Sequence, residues 1–343
     1  MHRLALALTC AAVVLPAPAP AKAASAPVVV ASRLAAPWGV AFLPDGSALV
    51  TERDSGRILQ VTPGRPARQV YRVTEADGAG EGGLLGIAVG PGFARDRAVF
   101  IYYTTAGDNR IARFRLGSPA RPAPIRTGIP VSGIHNGGRL VFGPDGHLYA
   151  GTGDASRTGR SQDRRSLGGK VLRMTTAGRP APGNPFPGSV VWSLGHRNVQ
   201  GLAFDRSGRL WATEFGQNRT DEVNLIVKGG NYGWPAVEGR SAARRFRGPA
   251  HTWTPSEASP SGLAFHDDQL YAAALRGRRL WRLPVSGTRI GPVSPLYSGT
   301  YGRLRDVAVN PRDGSVWLLT SNRDGRGDPS RTDDRVLRID DIG

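Results

Sequence analysis

The 343-residue chain has one cysteine, Cys10, near its start. Past that point no disulfide, thiolate nucleophile or cysteine-based metal site is available, so stability must come from a packed core. Lysine is almost as scarce: Lys22, Lys170 and Lys228 are the only three, and the formal charge of +18 is carried by arginine. The arginines are scattered, often singly after turns, and no basic run is interleaved with aromatics. That pattern excludes a nucleic-acid stripe and leaves most of them as solvated surface, with a minority free to face a polyanionic small molecule. Past the opening segment, no stretch approaches the ~20 apolar residues of a membrane span. Nor does any read as a long amphipathic helix. With 46 glycines and 27 prolines, the chain favours strands and turns.

The opening "MHRLALALTCAAVVLPAPAPAKA" (1–23) reads as an export signal. Arg3 gives the positive start, Leu4 to Leu15 the apolar stretch, and Ala21-Lys22-Ala23 a small-x-small cleavage site. The expectation is a secreted or extracytoplasmic protein whose remaining roughly 320 residues are enough for a large core.

The rest of the chain repeats itself. "PWGVAFLPDGSALVTER" (37–53) returns in outline at 83–104, 137–154, 199–216, 260–277 and 304–322. Each copy has a short apolar run, a turn built on Pro, Asp or Gly, and a second apolar run, which is a hairpin signature. The central residues of the first runs are Ala41, Ala88, Val141, Ala203, Ala264 and Ala308, spaced 44 to 62 residues apart. Units of about four strands at this spacing predict an all-β, six-bladed β-propeller forming a single domain over 24–343. A β-sandwich would not explain six hairpins of one pattern. "APVVVAS" (26–32) and "DRVLRIDD" (334–341) are placed to share a blade and close the ring, with 155–190 and 217–258 as rim loops.

Polar residues gather where the repeats begin. His135, in "HNGG", precedes an inner strand, and Asp154 follows the return strand. A carboxylate on one imidazole nitrogen would fix the tautomer and leave the other nitrogen free as a base. Alone, either residue is equally a turn residue. Arg197, Asn198 and Gln200 hold the same place in the fourth repeat, where donors suit a carbonyl that gains negative charge. The adjoining His196 should alternate away and serve the structure. Asp221 and Glu222, with the carbonyls of Gly216 and Gln217, could offer oxygen ligands to a hard cation, or form a solvated acidic turn. Tyr232 either closes that loop over a metal or packs. Arg303 and Arg305 alternate on one strand and, with Arg276, offer a seat for several carboxylates or else an exposed basic edge.

Together these segments resemble the soluble, pyrroloquinoline quinone (PQQ)-dependent aldose sugar dehydrogenases, over roughly residues 33 to 340. The specific ones are "HNGGRLVFGPDGHLYAGTGD", "GHRNVQGLAF", "DEVNLIVKGGNYGWP" and "RLRDV". The resemblance implies PQQ and calcium as cofactors, a sugar substrate and an external electron acceptor, in a monomer or weak homodimer. It implies His135 as general base held by Asp154, and Arg197 and Asn198 as polarisers of the quinone carbonyl. Gln200 and Glu81 would line the pocket, and Arg276, Arg303 and Arg305 would hold cofactor carboxylates. Gly216, Gln217, Glu222 and Tyr232 would serve calcium. Three positions depart from the family pattern: Arg276 where some relatives have lysine, Glu81 where glutamine is common, and Gln217 where glucose-oxidising members have proline. A non-catalytic glycan- or protein-binding propeller and a calcium-dependent lactonase or hydrolase are the alternatives. The second would want convergent carboxylates, where this chain has arginine.

Overall fold

A computed structural model describes residues 24–343; the expected export signal, residues 1–23, lies outside them. The described residues form a six-bladed β-propeller with almost no helix. Its innermost strands, one per blade, are Pro37–Phe42, Leu84–Val89, Gly137–Phe142, Val199–Phe204, Pro260–His266 and Leu304–Val309. Each packs on the next and the last on the first, which closes the ring. The sixth blade is made from both ends of the chain: Val28–Ala31 pairs antiparallel with Val336–Ile339, Val29 facing Leu337.

The hairpins follow from local turn chemistry. In "PDGS", Gly46 takes φ +84° while Asp45 accepts the Ser47 N–H and hydroxyl. The same device recurs at Asp145 with Gly146 and at Asp313 with Gly314. The fifth hairpin puts Asp267 and Asp268 at φ +45° and +58°, the left-handed pair that matches strand twist. The second blade differs, making one helical turn, Phe93–Asp96, in place of a tight hairpin. The stretches read as rim loops also hide strands: Lys170–Met174, Asp221–Ile226 and His251–Trp253 are the outer strands of their blades. The first two are short and nearly continuously buried, and the third has only three residues, so none shows the alternation that would have exposed it.

The core is a set of wedges between neighbouring blades rather than one central mass. Leu49, Ile58, Val99 and Ile101 fill the gap between blades one and two, and Trp211, Trp253, Leu270 and Trp281 that between four and five. Aromatic contacts stitch other pairs, such as Phe42 against Trp317 at 5.1 Å and Phe100 against Phe142 at 5.1 Å. Wedges of this kind around the whole ring serve where disulfides are absent.

Every innermost strand has a register irregularity near its start. Bulges there turn side chains toward the channel. The third residue of these strands is glycine in four blades, Gly39, Gly86, Gly201 and Gly262, because backbones converge; a Cβ on Gly86 would lie 2.0 Å from the Gly138 carbonyl oxygen. Blades three and six, on opposite sides, carry Arg139 and Asp306 instead. These buried side chains meet at 2.7 Å, and Arg139 also lies 4.5 Å over the Trp38 ring. Asp306 accepts the Val40 N–H at 3.0 Å, so the pair braces three blades across the channel.

Candidate active site

The strand starts converge at one rim of the propeller. His135 sits in a left-handed conformation, φ +60°, uncommon outside glycine though less so for histidine than for most residues. Its neighbours hold it there. Its N–H donates to Glu81 Oε2 at 2.9 Å and its carbonyl accepts the Ala155 N–H at 3.1 Å. Gly153 packs so tightly beneath that a Cβ there would stand 1.8 Å from the His135 oxygen. This twist brings Nδ1 to 2.8 Å from Asp154 Oδ1. Asp154 is fully buried; its Oδ1 also accepts the Ser156 N–H, and its Oδ2 the Trp234 indole N–H, each at 2.9 Å. Burial pushes this carboxyl's pKa up, but the bonds from His135, Trp234 and Ser156 outweigh it and hold it below the usual range. Among the described residues His135 Nε2 has no hydrogen-bond partner, and 12% of the side chain stays open.

Arg197 is buried beside this pair. Its guanidinium bonds Gln217 Oε1 at 3.0 and 2.7 Å and the Phe215 carbonyl at 3.2 Å, and it lies 5.6 Å over the Trp234 ring. Its backbone N–H donates to Glu214. Asn198 accepts the Gly137 N–H, while its fully buried amide nitrogen has no partner. Gln200 accepts from Arg305 Nη1 at 3.0 Å. A cavity of about 180 Å³ opens here, lined by Trp38, Gln200, Phe215, Leu275, Arg305 and the rim residue Ile134, among others.

Arg303 and Arg305 do point the same way, and the anion between them is Asp324. Its buried Oδ2 accepts from Arg303 at 3.1 and 2.8 Å and from Arg305 at 3.4 Å. Burial pulls the Arg305 pKa down to about 10, against the opposing charge of Asp324. The pair thus carries an internal carboxylate as its counter-ion. Arg276 stands apart, exposed and without an ion pair among the described residues, free to reach a ligand. The charge of Glu81 is offset by Arg326, 2.9 Å away. Trp38, Trp234, Asp324 and Arg326 were missed as site residues. Aligning the second residue of each inner strand would have exposed Trp38, which falls in register with Gln200 and Arg305.

The four residues assigned to calcium are only partly gathered. Gly216, Glu222 and Tyr232 border a small void of about 10 Å³. Gln217 lies outside it, exposed, its side chain spent on Arg197. Among the described residues nothing donates a hydrogen bond to the carbonyls of Gly216 and Gln217, which suit a hard cation. Burial, then the charge of Glu214, pushes the Glu222 carboxyl up to about 7. The Tyr232 hydroxyl is occupied by Leu225 and Val227, and its ring stacks on His196 at 4.6 Å. Asp221 caps the Gly216 and Ser259 N–H groups. Among the described residues no three acidic, histidine or cysteine side chains form a metal-binding group, so backbone oxygens would carry much of any ion's coordination.

The sequence pattern of the glucose/sorbosone dehydrogenases matches residues 34–331. The chain belongs to that family. It is 50% identical to the aldose sugar dehydrogenase of Streptomyces coelicolor, solved in a PQQ-bound form; the match covers 91% of this chain and 96% of that one, with a TM-score of 0.88. The aldose sugar dehydrogenase YliI of Escherichia coli is 29% identical over 87% of this chain and 90% of its own length. Quinoprotein glucose dehydrogenase B of Acinetobacter calcoaceticus is 36% identical over 62% of this chain and 52% of its own.

Proposed function

We propose that the protein is an exported quinoprotein that oxidises the C1 hydroxyl of aldose sugars to lactones, acting as a monomer or weak homodimer. The observation that carries this reading is the His135–Asp154 pair, bonded at 2.8 Å with Nε2 open, next to an arginine-lined cavity. When bound, PQQ supplies the two-electron acceptor for the C1 hydride. His135 Nε2 takes the hydroxyl proton as the C1–H bond gives up its electron pair and the C1–O double bond forms. Asp154 keeps the imidazole in the tautomer with Nδ1 protonated and steadies the positive charge that His135 gains. Arg197 and the unpartnered amide of Asn198 are donors for an oxygen that becomes negative. Arg276, Arg303 and Arg305 would hold the cofactor's carboxylates, with Gln200 and Glu81 at its edge. The Gly216 and Gln217 carbonyls, with Glu222 and the Tyr232 loop, would hold calcium, which would supply positive charge to the site. An external acceptor removes the two electrons.

The test is reconstitution. Purified apoprotein with PQQ and calcium should reduce a dye only when an aldose is present, and omission of either cofactor should abolish this. Dye reduction that persists without PQQ would overturn the reading.

A further inference from the structure

We propose that Lys170 acts as an internal cation in a cage of three backbone carbonyls and is a positioning residue for the reaction centre; this rests on the function proposed above. Lys170 begins the strand Lys170–Met174 and is fully buried. Its Nζ donates to the carbonyls of Arg160 at 2.7 Å, Ser161 at 3.1 Å and Gly168 at 2.7 Å. No carboxylate pairs with it among the described residues. Three N–H groups meet three acceptors, which is how a desolvated monovalent cation is held rather than an ion pair. The choice of lysine is informative in a chain whose cations are nearly all arginine. A flat guanidinium with five donors cannot fill a three-oxygen cup, whereas a compact ammonium can. Burial draws the Lys170 pKa down to about 7, against the opposing charge of Asp163.

The caged turn, Thr158–Ser161, and the adjoining Gln162 reach the Asp154 and Arg197 sides of the site from behind. The Ser161 carbonyl also accepts the Gly195 N–H at 2.9 Å, and its hydroxyl donates to the His196 carbonyl at 2.6 Å, fixing the backbone that leads into Arg197 and Asn198. Gln162 donates to the Trp234 carbonyl at 2.7 Å, and Trp234 holds Asp154. Arg160 Nη1 reaches the Asp154 and Ala155 carbonyls at 3.4 Å. There is no slack: a Cβ on Gly169 would lie 2.2 Å from Ser161 Oγ.

The experiment uses protein loaded with PQQ and calcium. Lys170→Met should lower kcat roughly ten- to a hundredfold with KM for the sugar little changed, as expected when reacting groups are slightly misplaced. Lys170→Ala should regain both kcat and Tm on adding methylammonium, which carries three N–H donors. Tetramethylammonium at equal ionic strength, with none, should restore neither. Should Lys170→Met fail to fold, the refolding yield of Lys170→Ala in the two salts gives the same comparison. Gln162→Leu cuts the links to Trp234 and Asn231 and spares the cage; kcat should fall in the folded, cofactor-loaded protein. Equal responses to the two salts, or unchanged kcat in Gln162→Leu, would overturn the proposal. His135→Ala separates the two ideas. Full turnover there defeats the proposed function, whereas the Tm response to methylammonium is read without turnover.

Discussion

Two histidine–carboxylate pairs lie within the same rim and have the same hydrogen bond. His135 Nδ1 meets Asp154 at 2.8 Å, and His196 Nδ1 meets Glu214 at 2.8 Å. They differ at the other nitrogen. His196 Nε2 bonds the Ser193 hydroxyl at 2.8 Å, its ring stacks on Tyr232, and none of its side chain is exposed. His135 Nε2 is bare and open. The carboxylate orients an imidazole in both cases, but only vacancy at the second nitrogen makes the ring available to a substrate proton. A hydrogen bond to a carboxylate is therefore no mark of catalysis by itself.

The largest effect should come from breaking the open pair. His135→Ala in protein reconstituted with PQQ and calcium should lose roughly 10²–10⁴-fold in kcat, the usual range for removing a general base, with cofactor binding kept. Turnover within threefold of wild type would refute the assignment. His196→Ala should do the reverse, costing roughly 3 kcal/mol of stability in urea unfolding because a buried ring is lost and Glu214 keeps only the Arg197 N–H as partner. Its kcat per loaded molecule should fall far less than that of His135→Ala.

The Asp154 side of the open pair can be read through pH. Its carboxyl lies below the usual range when folded, so it stabilises the fold above the unfolded pKa of about 3.9. That contribution fades as pH falls through the lower folded value. The stability gap between wild type and Asp154→Asn should thus be constant above about pH 5 and narrow in acid; a gap that widens in acid would reverse the sign. Trp234→Phe removes one bond to Asp154 and should cost about 1 kcal/mol in transition-state stabilisation, seen as a several-fold drop in kcat/KM. The smallest change belongs to Arg326→Ala, since its pair with Glu81 is half open to water and worth at most about 1 kcal/mol. Raising salt should reduce even that difference.

Much of the fold was legible because the repeat is local. Each hairpin needs only an apolar run, a turn residue tolerant of positive φ and a second run, and six copies name the architecture. The third and fourth strands of blades three and four escaped, since buried strands such as Lys170–Met174 show no alternation. Among site residues, His135 with Asp154 could be paired because one hairpin separates them. Asp324 follows the return strand of the sixth hairpin as Asp154 does that of the third, yet "NRDGRGD" looks like any polar turn, and Arg326 meets Glu81, 245 residues away, only through ring closure. Lys170 was noticeable as a rare lysine, but its cage is made of carbonyls, which every residue possesses.

Sequence alone determined the hairpin rhythm, the blade number and the residue types available at each blade mouth, because turn preference and apolar patterning act between near neighbours. Tertiary structure alone decided that Arg326 meets Glu81 and that Arg139 and Asp306 meet across the channel. Those outcomes depend on distances between blades far apart in the chain, and such distances exist only once the ring has closed.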